Sequence, residues 1–320
     1  IDIAGGNELT SIFLDKWFKS YQNKRELRPS SVQRYQEELT HFINQLGDVP
    51  IKAITPTHLD IFVSSGIGRT TLYKSYNLVK KAFGDAVRYD LLESSPFWRH
   101  EGPKKPISKE ARFLTVAEVM TLLEALEGEY IEGLMRFMLT SGARVGEAIG
   151  LEWDDITWNE DGSGVVDIKR SVRTNMAGII KSPPKTLNGR RQITLNAVEM
   201  ELLKLHRLKN QARQIASNHY EDHGLVFPSR VGTYFYQRNI LKELKKVTKA
   251  AGLEGVVNHS MRHSHATLAL LNNSNLFALS RRLGHSSIKV TADLYGHLET
   301  GMQDQAANAL DSILKAESTS

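Results

Sequence analysis

The sequence predicts a mainly α-helical chain with one small antiparallel β-sheet, divided into two domains. Three observations predict it. Apolar residues recur at intervals of three and four through most of the 320 residues, the period of helices that bury one face. One stretch, 153–195, changes character: Val165, Val166, Ile168, Ile193 and Leu195 stand among turn formers such as Gly162, Gly164 and Asn188-Gly189, the pattern of short antiparallel strands. A proline- and lysine-bearing stretch interrupts the helical pattern at 94–112, and a chain of this length suits about two domains at roughly 150 residues each.

The elements follow in order. Residue 1 is Ile, which reads as a processed or truncated start, with 1–7 a linker remnant carrying no signal peptide. Leu9, Ile12, Phe13, Trp17 and Tyr21 mark a first helix; Val32, Tyr35, Leu39, Phe42 and Leu46 mark a second, after Pro29. Thr55-Pro56 supplies an N-cap and a proline at the first helical position for a short third helix. A fourth carries Leu72, Tyr76, Val79, Phe83 and Val87, so 8–93 is predicted to be an all-helical domain. The stretch 94–112, with Pro96, Pro103, Pro106, Lys104 and Lys105, is predicted to be an extended, solvated linker. The second domain, 113–300, opens on Thr115 with Glu118 three residues on, a capping box. A helix from about Tyr130 should stop at Gly142, and helical periodicity returns over 197–216, 235–250, 260–272, 276–283 and 288–294. Met302, Ala306, Leu310 and Leu314 give a tail helix within 301–320, packed on its own domain or on a neighbour.

Composition narrows the function. Hydrophobic residues make up 41% and charged residues 24%, ordinary for a globular protein and against collagen-like or wholly disordered chains. No apolar run approaches the roughly 20 residues of a membrane helix. The absence of cysteine removes disulfides, thiolate metal sites and cysteine nucleophiles; a reducing interior suits such a chain. The net charge of +5 permits a polyanionic partner without demanding one. Its distribution says more. From Ile168 to Gln192 the chain carries Lys169, Arg170, Arg173, Lys181, Lys185, Arg190 and Arg191 and no acid, and Arg238, Lys242, Lys245, Lys246 and Lys249 stripe a later helix. Either run alone reads as a solvated face. Together with Lys104 and Lys105 they read as a phosphate-backbone footprint, with Arg173, Lys181, Arg190, Arg191, Lys242 and Lys246 as contacts. Tyr234, Phe235 and Tyr236 read as core.

Four short segments carry chemistry. In SGARVGEAIGLEW, Arg144 follows a glycine turn and opens a helix, where backbone N–H groups and a guanidinium can meet an anion. Lys185, in PPKTLNGR, sits at a predicted hairpin and could deliver a proton to a leaving alkoxide. In HSMRHSHAT, His259 and Arg262 share a helical face; His259 and His263 also have the i, i+4 spacing of zinc helices, but Ser260 stands where a general-base Glu would be and a third ligand is missing. In LGHSSIKVTADLYGH, Gly284-His285 leads into a short helix ending at Tyr295, a phenol that needs surrounding cations to serve as a nucleophile. Each segment alone has a plain structural reading: a surface arginine, an exposed lysine, a core tyrosine.

Taken together, in this order and spacing, these segments resemble the tyrosine recombinases, phage and conjugative-transposon integrases above all, over nearly the whole chain. The resemblance implies a helical core-DNA-binding domain at 8–93 and the tyrosine-recombinase catalytic domain at 113–300. It implies that Tyr295 is the nucleophile of a 3′-phosphotyrosine intermediate, that Arg144, Arg262 and His285 bind the scissile phosphate, that Lys185 protonates the 5′-oxygen and that His259 accepts the tyrosine proton. No cofactor and no metal are implied. The implied partners are double-stranded att-type DNA sites bound by a homotetramer, with a DNA-bending protein and an excisionase as accessory factors, in the bacterial cytoplasm. A type IB topoisomerase, a non-catalytic DNA-binding regulator and a metal nuclease are the alternatives.

Overall fold

A computed structural model describes residues 7–27, 29–107, 112–175, 178–183 and 189–292. Lys185, Tyr295, most of the 1–7 stretch and the tail from 301 onward lie outside the described residues. The chain divides into two units between Lys109 and Glu110.

Among its described residues the first unit holds four helices: α1 (Thr10–Arg25), α2 (Pro29–Leu46), α3 (Pro56–Val63) and α4 (Arg69–Arg88). Thr55 and Pro56 start α3, and the Thr55 amide donates to His58 Nδ1 at 3.2 Å. Rings fill the centre: Phe42 meets Phe62 edge-on at 5.0 Å and Phe13 meets Phe83 at 5.8 Å, a favoured aromatic geometry. On α1 the apolar face is rotated from the expected one. Leu14 and Phe18 are buried beside Phe13 and Trp17, whereas Leu9 and Ile12 are exposed. With apolar residues on both faces of one helix, only the packing against α2 and α4 decides which goes in.

The stretch 94–112 departs from an extended linker at its start. Pro96–Arg99 forms a 3-10 turn, a place where the missing N–H of proline costs nothing. Phe97 is 1% exposed and joins the ring cluster of the first unit. His100 then bridges Tyr76 OH at 2.9 Å and Asp60 Oδ1 at 3.1 Å. A buried phenylalanine outweighs the prolines and lysines around it. Lys104 and Lys105 beyond it are exposed.

The second unit begins with α5 (Val116–Ala125), capped as expected: the Glu118 amide donates to Thr115 Oγ1 at 3.2 Å and the Thr115 amide to Glu118 Oε2 at 2.9 Å. Next come α6 (Glu132–Ser141) and the short α7 (Val145–Ala148). Strands β1 (Ile156–Trp158), β2 (Gly164–Ile168) and β5 (Arg191–Leu195) form an antiparallel sheet in the order β1-β2-β5, with Val166 opposite both Ile156 and Ile193. Strands β3 (Ser171–Asn175) and β4 (Gly178–Ser182) pair, among the described residues, only with each other. The single expected sheet is therefore two. The break falls at Lys169-Arg170, whose side chains turn to Asp155 at 3.1 and 2.6 Å and draw the chain out of the ladder.

Among the described residues five helices follow: α8 (Ala197–Ile215), α9 (Gln237–Ala250), α10 (Asn258–Leu271), α11 (Leu276–Leu283) and α12 (Ile288–Ala292). Each begins within two residues of the stretch that the periodicity marks, α12 being described as far as Ala292. α9 starts two residues later than expected because Tyr234 and Phe235 pack into the core ahead of it, while Tyr236 is exposed. Leu122, Met135, Met138, Ile149, Val166 and Ile193 share one continuous core. Among the described residues no helix is long and apolar enough to cross a membrane.

Candidate active site

Three distant segments of the second unit meet around two guanidinium groups. The first is the turn between α6 and α7. α6 ends on Gly142, whose φ of 69° suits glycine. A Cβ there would also lie 2.7 Å from His265 Cδ2 and from Leu283 Cδ2. Arg144 follows as the N-cap residue of α7. Glu147 holds it twice, accepting from the Arg144 amide at 2.9 Å and from Nη1 at 2.8 Å. The Arg144 side chain remains 40% exposed, and its Nη2 reaches Gly284 O at 3.3 Å.

The second segment is α10. Arg262 is 3% exposed. Its Nη1 donates to Gly142 O at 2.8 Å and its Nη2 to Leu283 O at 2.7 Å. The guanidinium thus ties together the C-terminal ends of α6 and α11, where the helix dipoles are negative. Burial, with Arg144 adding to it, pushes the Arg262 pKa down to about 9, against the pull of Glu147; the group is still a cation at neutral pH. His259 lies one turn earlier, its ring 4.4 Å from that of His263 and perpendicular to it. Burial first, then His263, Arg262 and Arg144, lower the His259 pKa to about 4. The same nearby cations disfavour a divalent metal at this histidine pair.

The third segment is the end of α11. Gly284, with φ of 67°, lets the chain turn, and the His285 amide donates back to Ser280 O at 3.1 Å. His285 Nδ1 is 2.7 Å from Thr291 Oγ1 on α12. Burial, then Arg262, Arg144, Arg191 and His259, bring the His285 pKa to about 4. Both imidazoles are therefore neutral at pH 7, and a bound anion would raise both.

The structure therefore brings together Arg144, His259, Arg262 and His285. β4 ends three residues before Lys185, and the described residues of α12 reach Ala292, three before Tyr295. Among the expected backbone contacts, Arg173, Lys181, Arg190, Lys242 and Lys246 are exposed, and Lys181 lies over the Tyr234 ring at 4.7 Å. Arg191 differs from these exposed cations: its side chain is 6% exposed, with Nη2 at 2.9 Å from Glu147 Oε2. A buried carboxylate needs its countercharge, and that need draws Arg191 out of the basic run. Sequence reasoning gave no role to Glu147 or Thr291. The Arg-x-x-Glu spacing at a helix start, a capping arrangement, is the signal that marks Glu147.

A family model described as the phage integrase family matches residues 112–302. A second, the N-terminal SAM-like domain of phage integrases, matches 11–65. A XerC-like tyrosine recombinase of Caldanaerobacter subterraneus is 24% identical over 89% of this chain and 78% of its own length. The ICEBs1 integrase of Bacillus subtilis is 26% identical over 79% of this chain and 68% of its own. Among solved structures, the Tn1549 transposon integrase in complex with transposon right end DNA superposes with a TM-score of 0.74 at 20% identity, over 92% of this chain and 98% of that one. A lambda integrase dimer bound to a COC′ core site gives 0.66 at 16% identity, over 89% and 95%. The chain belongs to the phage integrase family and is a tyrosine recombinase.

Proposed function

We propose that the protein is a site-specific DNA recombinase that cleaves and rejoins DNA through a 3′-phosphotyrosine link, integrating or excising a mobile element. The observation that carries this reading is the convergence of Arg144, Arg262, His259 and His285 from three separate segments. Phosphoryl transfer asks mainly for positioning and charge stabilisation, and this cluster supplies both.

In the proposed reaction the Tyr295 oxygen attacks the scissile phosphorus, its proton passing to neutral His259. The bond to the 5′-oxygen breaks, and Lys185 protonates that oxygen. Arg144 and Arg262 meet the charge on the non-bridging oxygens. His285, whose Nδ1 lies 2.7 Å from Thr291 Oγ1, adds a hydrogen bond to the same phosphate. The phosphotyrosine bond is close in energy to the phosphodiester it replaces, so a 5′-hydroxyl from a partner strand can displace the tyrosine and reseal the DNA. Recombining two duplexes takes four such sites, hence a homotetramer on two att-type sites. A bending protein and an excisionase would act on that assembly, in the bacterial cytoplasm.

The test is a site-containing duplex nicked near the scissile bond, so that the released fragment diffuses away. The protein should accumulate an SDS-resistant adduct, and Tyr295→Phe should bind the same DNA and form none. Relaxation of plasmids lacking any such site would instead place the protein with type IB topoisomerases. Cleavage abolished by a chelator would indicate a metal nuclease.

A further inference from the structure

We infer that Arg191 is a positioning residue of this site, one that holds Glu147, and through it Arg144, in register with the end of α11 that carries His285. The inference rests on the recombinase reading above and deepens it. Every nitrogen of the Arg191 guanidinium meets a protein acceptor. Nε donates to Arg282 O at 2.5 Å, Nη1 to Glu147 Oε1 and Gly189 O at 3.2 Å each, and Nη2 to Glu147 Oε2 at 2.9 Å. The planar fork therefore joins three elements at once: its own strand β5, the α7 turn through Glu147, and α11 through the Arg282 carbonyl. Lysine could match its charge but not this set of directed bonds.

Glu147 transmits the constraint. Its side chain is 2% exposed, and it accepts from both the backbone and the side chain of Arg144. Arg144 is thus the half-exposed partner that can reach a phosphate, and Arg191 the buried one behind the carboxylate. The charges that face Glu147 are Arg144 from the α7 turn, Arg191 from β5 and Arg262 from α10; His285 in turn feels Arg144, Arg191 and Arg262. Burial alone would raise the Glu147 carboxyl pKa, and Arg191 is the largest of the influences that bring it below the usual range. Without the Arg191 charge the carboxyl would take up a proton at higher pH and lose its double hold on Arg144. β5 also begins six residues after Lys185 in the chain, so the strand that fixes the arginines also anchors one end of the segment bearing the proposed acid.

The experiment compares wild type, Arg191→Lys and Arg191→Gln for DNA affinity at several salt concentrations and for adduct formation on the nicked duplex at saturating DNA. A positioning residue predicts unchanged affinity and salt slope. It predicts a saturated cleavage rate about 10²-fold lower in Arg191→Gln, the scale of a misplaced catalytic group, with partial recovery in Arg191→Lys. In Arg191→Gln the acid side of the rate profile should also move to higher pH. A salt slope reduced by about one phosphate contact, with saturated cleavage unchanged, would make Arg191 a backbone contact and overturn the inference. So would a wild-type saturated rate in Arg191→Lys together with a wild-type pH profile in Arg191→Gln. If Arg191→Gln fails to fold, Arg191→Lys decides by its saturated rate at unchanged affinity: a loss supports the inference and a wild-type rate overturns it. Absence of any adduct in wild type would be a failure of the recombinase reading itself.

Discussion

Arg144 and Arg262 are the same residue type in two states. Arg262 spends its fork on the carbonyls of Gly142 and Leu283 and is buried; Arg144 leans on Glu147 and stays partly open. Removing them should therefore have different consequences. Arg144→Ala leaves the core untouched, so its melting temperature should stay near that of wild type while cleavage falls by about 10² to 10³, the usual loss when one charge-stabilising donor is removed. Near-normal cleavage would refute the clamp role. The histidines give a second prediction at this scale. His206, His259, His265 and His285 all have folded-state pKa values near 4, burial being the first cause in each. Because these values are depressed, their contribution to stability is present above about pH 6.5 and is lost as pH falls toward 4. Thermal melts should show the midpoint dropping across that window; a flat or rising midpoint would contradict the buried, neutral imidazoles. The Arg144, His259–Arg262 and His285 positions were legible because short spacing puts each on a turn or a helix face. Arg191 was not, because its burial depends on a carboxylate 44 residues away.

At the scale of elements, the site depends on how closely α7 approaches β3. A Cβ at Gly146 would lie 2.8 Å from Val172 O and 2.7 Å from Ser171 Oγ. Gly146→Ala should therefore push α7 off the hairpin and destabilise the protein by about 1–3 kcal/mol, read as a lower denaturant midpoint. An unchanged midpoint would mean that the hairpin yields freely. Helix starts and stops were readable wherever the chain carries its own cap, as at Thr55-Pro56, Thr115–Glu118 and Gly142. Two things were not. The buried face of α1 is chosen by its neighbours, since Ile12 and Leu14 are equally apolar. The 3-10 turn at Pro96–Arg99 hides in a polar stretch because a single side chain, Phe97, fixes it.

For the whole molecule, the electrostatic expectation concerns binding more than stability. Lys104, Lys105, Arg173, Lys181, Arg190, Lys242 and Lys246 present exposed cations, whereas the Arg191 side chain is 6% exposed. Affinity for DNA should fall linearly in log–log terms with salt, by a slope of about 0.9 per phosphate contact. Lys242→Ala or Lys246→Ala should lower that slope by about one contact while the cleavage rate of bound DNA is kept. A slope that does not change in either variant would remove α9 from the interface. The central claim is that a phenol near the carboxyl end, served by the Arg144–Arg262 pair, exchanges backbone linkages in DNA. Peptide mapping of the protein–DNA adduct trapped on a nicked site tests it most directly: the DNA 3′-phosphate should be found on Tyr295, and a link through any other residue, or to a 5′-phosphate, would contradict the account.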